Sequence, residues 1–354
     1  MNSEDGPQPL WERVDDASQP PLVIAEISGN HLGSLERAKE LIWAAKSCSA
    51  DVVKFQHYSP ETITVQSDHP DFVIGGDSLW RGRNLWELYA EAMTPWEWTN
   101  ELVDTCRGAG IPWFSSPFDE TAVDFLEGFD PPMYKVASFE IIDIPLIKKI
   151  ASTGRPMILS TGMATEDEIS EAVEAASSFG VAHIALLRTS SAYPAPIEEM
   201  DLRAISFLSE QYGVPIGLSD HTTGNTAAIV ATAFGARVFE KHLTLKRSDG
   251  GPDAAFSLEP AEFSDYVDLI RDAHRTIGSV RIGPSDKETA SLRLRPSIRA
   301  KKHIGAHEEL TPENVATIRP AGGLHPRHFP ELLGRRSTRP LAPGDPIKWE
   351  DLED

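Results

Sequence analysis

Short apolar runs rich in β-branched residues recur along the chain, separated by stretches whose apolar positions repeat every three to four residues. The runs are Leu22–Ile27, Asp51–Gln56, Pro112–Phe118, Met133–Ser138, Pro156–Thr161, Ile184–Thr189, Pro215–Asp220 and Arg237–Thr244. They are mostly continuous rather than alternating, as parallel strands must be when their outer face is covered. Between them, Ser34–Lys46, Thr165–Ser178 and Thr226–Gly235 read as amphipathic helices. Ser34 and Thr165 stand at N-cap positions, and Glu168 follows Thr165 at capping-box spacing. Eight strand–helix units predict a closed (β/α)8 barrel of the TIM type rather than an open doubly wound sheet. The first strand is not followed by Gly-x-Gly-x-x-Gly, which weighs against dinucleotide binding.

The rhythm breaks after the helical stretch Glu262–Ile277. We read residues 1–20 as a loose tail, 21–283 as the barrel, 284–296 as a linker, and 297–354 as a small β-rich domain. In that last domain Ser297–Ile304, Val315–Arg319 and Ser337–Leu341 look β-like among Pro and Gly. The length of 354 residues accommodates this division, since a barrel needs roughly 250 residues.

Charge narrows the partners. With 33 Lys/Arg against 54 Asp/Glu the chain carries −21, which argues against nucleic acid or an anionic membrane. Residues 290–354 hold 11 Lys/Arg and 9 Asp/Glu, whereas the remainder, 22 against 45, carries −23. The small domain therefore faces a chemically different neighbour. Two cysteines, Cys48 and Cys106, exclude a disulfide scaffold and a thiolate-rich zinc site. No apolar run has the length of a membrane span, and the polar, acidic Met1–Pro20 is not a signal peptide. A cytoplasmic enzyme is the expectation.

In a barrel the active face is built from the C-terminal strand ends and the loops that follow. Those ends supply Glu26, Asn30, His31; Lys54, Gln56; Ser115, Ser116; Lys135, Ser138, Glu140; and Ser160, Thr161. The later ones add Ser190, Ser191, Tyr193; Ser219, Asp220, His221; and Glu240, Lys241, His242. Lys54 and Lys135 lie within apolar strands, and a buried ammonium needs an anionic partner. That partner is either a nearby carboxylate such as Glu26 or Glu140, or a bound anion. Four strand-end serines beside two lysines favour the anion, a phosphate or carboxylate.

His221 and His242 follow adjacent strands. They either share a divalent ion with positions left for water and substrate, or one serves as a base or a core histidine. Scarce cysteine and abundant oxygen donors favour Mn²⁺ or Mg²⁺ over structural zinc. His57, His69 and His183 read as structural. The Gly-rich Arg247–Asp253 reads as an ordinary turn with solvated Asp249 and Asp253. Trp80–Trp98 holds four of the eight tryptophans and reads as a lid, a sugar-stacking wall or helix packing.

Six ordered motifs resemble the sialic acid synthase family. They are Ile24-Ala-Glu-Ile-Ser-Gly-Asn-His31, Val53-Lys-Phe-Gln56, Tyr134-Lys-Val-Ala-Ser-Phe-Glu140, Ser160-Thr-Gly-Met163, Gly217-Leu-Ser-Asp-His-Thr222 and Glu240-Lys-His242. Arg319-Pro-Ala-Gly-Gly-Leu-His-Pro326 and Leu333-Gly334 resemble its antifreeze-like (SAF) domain. Trp80-Arg-Gly-Arg-Asn-Leu-Trp86, Thr94-Pro-Trp-Glu-Trp98 and Arg247–Asp253 are most similar to the branch that makes pseudaminic acid.

The resemblance implies condensation of phosphoenolpyruvate with an N-acetylated amino-deoxy aldose, here a 2,4-diacetamido-2,4,6-trideoxy-altrose. Legionaminic and N-acetylneuraminic acid synthases are the alternatives within the family. A Schiff-base aldolase on Lys54 or Lys135 and a non-catalytic binding module are the alternatives outside it. The resemblance further implies a divalent ion on His221 and His242 (Mn²⁺ or Mg²⁺, with Co²⁺ a further candidate) and Glu26 as acid/base. By the same analogy Lys54 meets the phosphoenolpyruvate carboxylate, and Lys135, Ser116, Ser138, Ser160 and Ser219 its phosphate. Gln56, Tyr193 and Asp253 match sugar-holding positions, and Glu140 lies at the same rim. Arg319 matches an arginine that reaches the partner's barrel, which implies a domain-swapped homodimer. Four positions depart from the family pattern: Ser191 replaces an Asn, Thr189-Ser190 a Cys-Thr, and Leu32 the Asn of a His-Asn-Gly.

Overall fold

The computed structural model describes residues 7–76 and 78–353, so Met1–Gly6 of the expected tail lie outside the described residues. Eight parallel strands close into a barrel in sequence order. They are β1 Leu22–Glu26, β2 Val52–His57, β3 Trp113–Pro117, β4 Tyr134–Val136, β5 Met157–Ser160, β6 Ile184–Thr189, β7 Ile216–Asp220 and β8 Val238–His242. Each lies within two residues of the run that predicts it. The helices are α1 Pro7–Asp15, α2 Leu35–Ser47, α3 Pro60–Ile63, α4 Leu85–Ala92, α5 Thr99–Ala109, α6 Glu120–Glu127 and α7 Ile144–Ala151. They continue with α8 Glu166–Ser177, α9 Ala204–Tyr212, α10 Thr226–Ala233 and α11 Pro260–Ile277. Ser34 caps α2 by accepting the Arg37 N–H, and Thr165 and Glu168 form the expected capping box on α8.

Alternation along each strand decides what enters the lumen. Ile24, Val52, Phe114, Met133, Ile158 and Val238 meet inside the barrel as one apolar layer. Val23, Ala25, Val53, Phe55 and Phe239 point outward into the core shared with the helices. Two residues beyond each member of the inner layer stand Glu26, Lys54, Ser116, Lys135, Ser160 and Glu240. The period of two thus lifts a ring of polar side chains onto the apolar plug, at the end of the barrel where the strands finish.

The other end of the plug corrects the reading of residues 1–20 as a loose tail. Pro7–Asp15 is a helix, and its Trp11 and Val14 are each only 1% exposed, packed against Leu22 and the inner layer. Arg13 pairs with Asp51 at 2.6 Å, and the Arg237 guanidinium donates to the carbonyls of Arg13, Asp16 and Gln19. An open barrel bottom would leave the apolar layer wet, so α1 covers it.

The chain divides into two compact units after Gly278, five residues before the expected boundary. The expected linker carries α12 Asp286–Thr289 and a 3-10 turn over Ala290–Leu294. In the second unit β9 Ser297–Ala300 pairs antiparallel with β10 Val315–Ile318. Ile298, Ile304, Leu310, Val315, Leu332, Leu341 and Ile347 form its own small core, behind α13 Phe329–Leu332.

Candidate active site

The polar ring condenses into one buried network. The Lys135 ammonium donates to Glu240 Oε1 at 2.8 Å, and Lys54 Nζ lies 3.6 Å from the same oxygen. Lys54 also pairs closely with Glu26 and donates to the Ser116 hydroxyl at 3.2 Å. Ser219 donates to Glu240 Oε1 at 3.3 Å. The sequence reading offered Glu26 or Glu140 as partners for the lysines. Lys54 takes Glu26, whereas Lys135 takes Glu240, which reaches it across the lumen from β8.

Burial opposes every charge here, and the neighbours decide who keeps one. Burial drives Glu26 up from the ordinary carboxylate range, with Lys54 opposing and Glu240 reinforcing the rise. Glu240 is held below that range because Lys135 and Lys54 outweigh its desolvation. Burial lowers Lys135, while the carboxylates of Glu240 and Glu26 keep Lys54 charged. Glu240 is therefore the anchored anion, and Glu26 the carboxyl on which burial favours a proton.

His221 and His242 close one side. Their ring centroids are 5.5 Å apart. The His221 Nδ1–H donates to the Ser190 carbonyl at 2.8 Å, which leaves Nε2 as the lone-pair nitrogen. His242 Nδ1 lies 3.1 Å from the Ser28 hydroxyl, and the Ser28 N–H donates to Glu26 Oε1 at 2.6 Å. Burial pushes His221 down to about 4 and His242 well below its ordinary value, so both rings are neutral near pH 7. Two neutral imidazoles with remote nitrogens already engaged suit a divalent ion. Among the described residues no group of three or more His, Cys, Asp or Glu forms a full cage, and an ion here would draw its other donors from water and substrate.

Above the network opens a cleft of about 970 Å³ lined by Lys54, Gln56, Lys135, Ser138, Glu140, Ser191, Tyr193, Ser219, His221, Glu240, His242 and Asp253. The Ser160 hydroxyl is buried without a hydrogen-bond partner in the protein, and a buried hydroxyl needs one; the Ser191 hydroxyl lies beside Tyr193. Gly162 makes this convergence possible. A Cβ there would stand 2.3 Å from Ser191 Oγ and 2.7 Å from Ser138 Oγ, so any side chain would part the two hydroxyls. Asp253 accepts the Gly29 N–H at 3.3 Å, and burial pushes its carboxyl up. Asp249 pairs with Arg37 at 2.8 Å. The Gly-rich turn is thus fastened to the barrel rather than solvated. Leu32 packs against that same loop, where a Cβ on Gly251 would meet it at 2.3 Å.

The sequence profile of the NeuB family matches residues 41–281, and that of the SAF domain matches residues 295–353. The chain belongs to the NeuB family. This NeuB-family chain is 42% identical over 331 residues to a pseudaminic acid synthase of Campylobacter jejuni, covering 94% of the chain and 96% of the relative. It is 41% identical to a Helicobacter pylori pseudaminic acid synthase, over 95% and 98% of the two lengths. An N,N'-diacetyllegionaminic acid synthase of Legionella pneumophila is 32% identical over 94% of each. Among solved structures, the N-acetylneuraminic acid synthetase of Leptospira borgpetersenii matches with a TM-score of 0.69 at 29% identity, covering 78% of this chain and 91% of that one.

Within this NeuB-family barrel the strand-end residues divide. Those of the polar ring and of the loops above it reach the cleft or its floor. By contrast, Ser115 turns to His57, Lys241 pairs with Asp220 against Tyr266, Asn30 donates to the Leu243 carbonyl and His31 packs on Trp98. Glu26, Ser116 and Ser160 lie beneath the lining, fully buried. Arg319 is exposed on the second unit, directly after β10. His57 is a core residue between the Ser115 and Thr99 hydroxyls, pushed down to about 3 by burial. His183 packs on Trp11, and His69 is exposed. The aromatic stretch divides. Trp96 stacks on Phe125 and Trp98 meets His31 edge-on, whereas Trp80 enters the cleft. Sequence reading named Glu240 at a strand end without giving it a task. Its position, two residues past the inward Val238, is the signal that marks it.

Proposed function

We propose that this chain condenses phosphoenolpyruvate with 2,4-diacetamido-2,4,6-trideoxy-altrose and water, releasing pseudaminic acid and phosphate. One observation carries the reading. Two ammoniums held over a single shared carboxylate, with converging serine hydroxyls, adjoin a neutral histidine pair in one cleft. Identity of 41–42% to pseudaminic acid synthases, against 32% to a legionaminic one, supports the choice of sugar.

Lys54 binds the carboxylate of phosphoenolpyruvate. Lys135, Ser116, Ser138, Ser160 and Ser219 bind its phosphate, with Ser191 beside them. Gln56, Tyr193, Glu140 and Asp253 hold the open-chain sugar. A divalent ion, Mn²⁺ or Mg²⁺ with Co²⁺ as a further candidate, would be held by His221 and His242 and would polarise the aldehyde oxygen. C3 of phosphoenolpyruvate bonds to the aldehyde carbon, and Glu26 in its protonated form gives its proton to the oxygen left behind. Water then adds to the cationic C2, its proton passing to the Glu26 carboxylate. The C2–O bond to phosphate then breaks as the new hydroxyl becomes the C2 ketone, its proton leaving with the phosphate, so both reactants and Glu26 are accounted for. Raised by burial, Glu26 exists in both forms near neutrality, as this double duty requires.

The second unit carries Arg319, and the family resemblance supports a homodimer in which that guanidinium completes the partner's sugar site. Phosphate release from phosphoenolpyruvate tests the reaction, run with the altrose, its gluco/manno counterpart and N-acetylmannosamine, each with Mn²⁺ and with EDTA. Metal-dependent release with the altrose alone is expected. Release only with another aldose would replace the sugar, and no release from a folded dimer would overturn the synthase.

A further inference from the structure

The cleft has two chemically different ends. Its floor is the charged network and the histidine pair. The side facing them comes from the segment between β2 and α5: Ile63, Ile74, Leu79 and Trp80, then Leu85 and Leu88 of α4, with Tyr58 and Tyr89 beside them. Among the described residues of 63–85, Ser78 is the one polar side chain that joins them.

This segment is a fixed strap. Gly82 N–H donates to the Ile74 carbonyl at 2.8 Å, and Ile74 N–H to the Arg83 carbonyl at 2.9 Å. Asn84 donates to the Ser67 carbonyl at 2.9 Å. The Trp80 indole N–H donates to the Pro252 carbonyl at 2.8 Å, beside Asp253. With its polar handle tied down, Trp80 offers only its ring to the cleft.

Aromatic contacts measure how far this wall stands from the chemistry. The Tyr193 ring is 4.4 Å from His221 on one side and 5.3 Å from Trp80 on the other, with Phe256 packed on all three. A sugar whose aldehyde carbon lies at the histidines and which extends along Tyr193 reaches Trp80, with Leu79 and Ile74 in the same lining. Those side chains have no hydrogen-bonding group to offer. Leu79 is 47% exposed, which leaves apolar surface for a substrate to cover.

We propose that the Ile74–Leu79–Trp80 wall is the element that selects a 6-deoxy sugar, by receiving the C6 methyl and stripping water from any C6 hydroxyl. The inference rests on the synthase reading above and adds to it which residues decide between hexoses. A methyl against Leu79 and Ile74 gains burial, whereas a hydroxyl there loses its hydrogen bonds to water and finds none in return from Ile74, Leu79 or the Trp80 ring. An apolar pocket discriminates against an added hydroxyl by about 100-fold at most. The wall acts on binding, so it moves KM rather than kcat.

The test compares kcat/KM for the 2,4-diacetamido-2,4,6-trideoxy-altrose and the same sugar bearing a 6-hydroxyl. Wild-type enzyme, Leu79→Asn and Ile74→Thr are measured, at saturating phosphoenolpyruvate and Mn²⁺. Leu79 is half-exposed, so its substitution spares the core, and the melting temperature verifies the fold. Wild type is expected to favour the deoxy sugar by ~30- to 100-fold. Both variants are expected to lower that ratio about tenfold, with KM for the deoxy sugar raised and kcat retained. An active wild type whose variants keep the full ratio overturns the wall and leaves the synthase standing. A wild type that turns over no aldose overturns both.

Discussion

Glu140 sits in the cleft wall with one carboxylate oxygen buried and unpartnered, and burial pushes it up to about 7. Its folded value lies above the ordinary 4.5, so between these values the folded chain binds the extra proton and stability falls as pH rises. Glu140→Gln removes that cost. The variant should melt at the wild-type temperature at pH 5 and ~3 °C above it at pH 8. Equal differences at both pH values in a thermal melt would contradict the assignment. The same residue marks a limit of sequence reading. Glu140 is five positions from Lys135 and was an obvious partner, yet the lysine reaches Glu240. In an eight-strand barrel β4 and β8 stand opposite each other, and side chains at equal height meet across the lumen. Sequence distance reports neighbours along a turn and is silent about neighbours across a lumen.

At the scale of elements, the strands were legible because a parallel strand covered on both faces must be apolar almost throughout. Ser34 and Thr165 marked their helices because a cap is a local device. Helix α1 escaped because its apolar signal is brief. Leu10, Trp11 and Val14 share one face, set among Pro, Gln, Glu and Arg. What makes α1 fold is a surface that forms only once the barrel has closed. Trp11→Ala should therefore cost about 3–5 kcal/mol, read as a lower urea midpoint. A loss below about 1 kcal/mol would show that α1 is dispensable to the barrel bottom. The strap between β2 and α5 was legible only as an excess of tryptophan. Its role depends on which ring faces the cleft, and Trp80 alone turns in while Trp96 and Trp98 pack against the barrel's own residues.

The whole molecule pairs an acidic barrel with a slightly basic second unit, an asymmetry visible in composition alone. We expect this to serve a homodimer in which Arg319 acts in trans, and complementation reads that directly. Glu26→Gln and Arg319→Ala should each abolish turnover. Mixed under subunit exchange, they should recover about a quarter of wild-type activity, since half the dimers are hybrid and each hybrid has one intact site. Verified hybrids that stay inactive would place Arg319 in its own chain's site. The fold and most residues that line the candidate site were readable because a barrel gathers polar side chains at its strand ends, positions the sequence marks in order. The pairing of charges across the lumen and the apolar wall were not, because both arise only after closure.

The proposed reaction forms a new carbon–carbon bond, and mass spectrometry of the reaction products examines it most directly. Enzyme, Mn²⁺, phosphoenolpyruvate and the diacetamido-trideoxy-altrose should yield one acid whose mass is the sugar plus a pyruvic acid unit, equimolar with phosphate. Phosphate accompanied by free pyruvate and unchanged sugar would contradict the account.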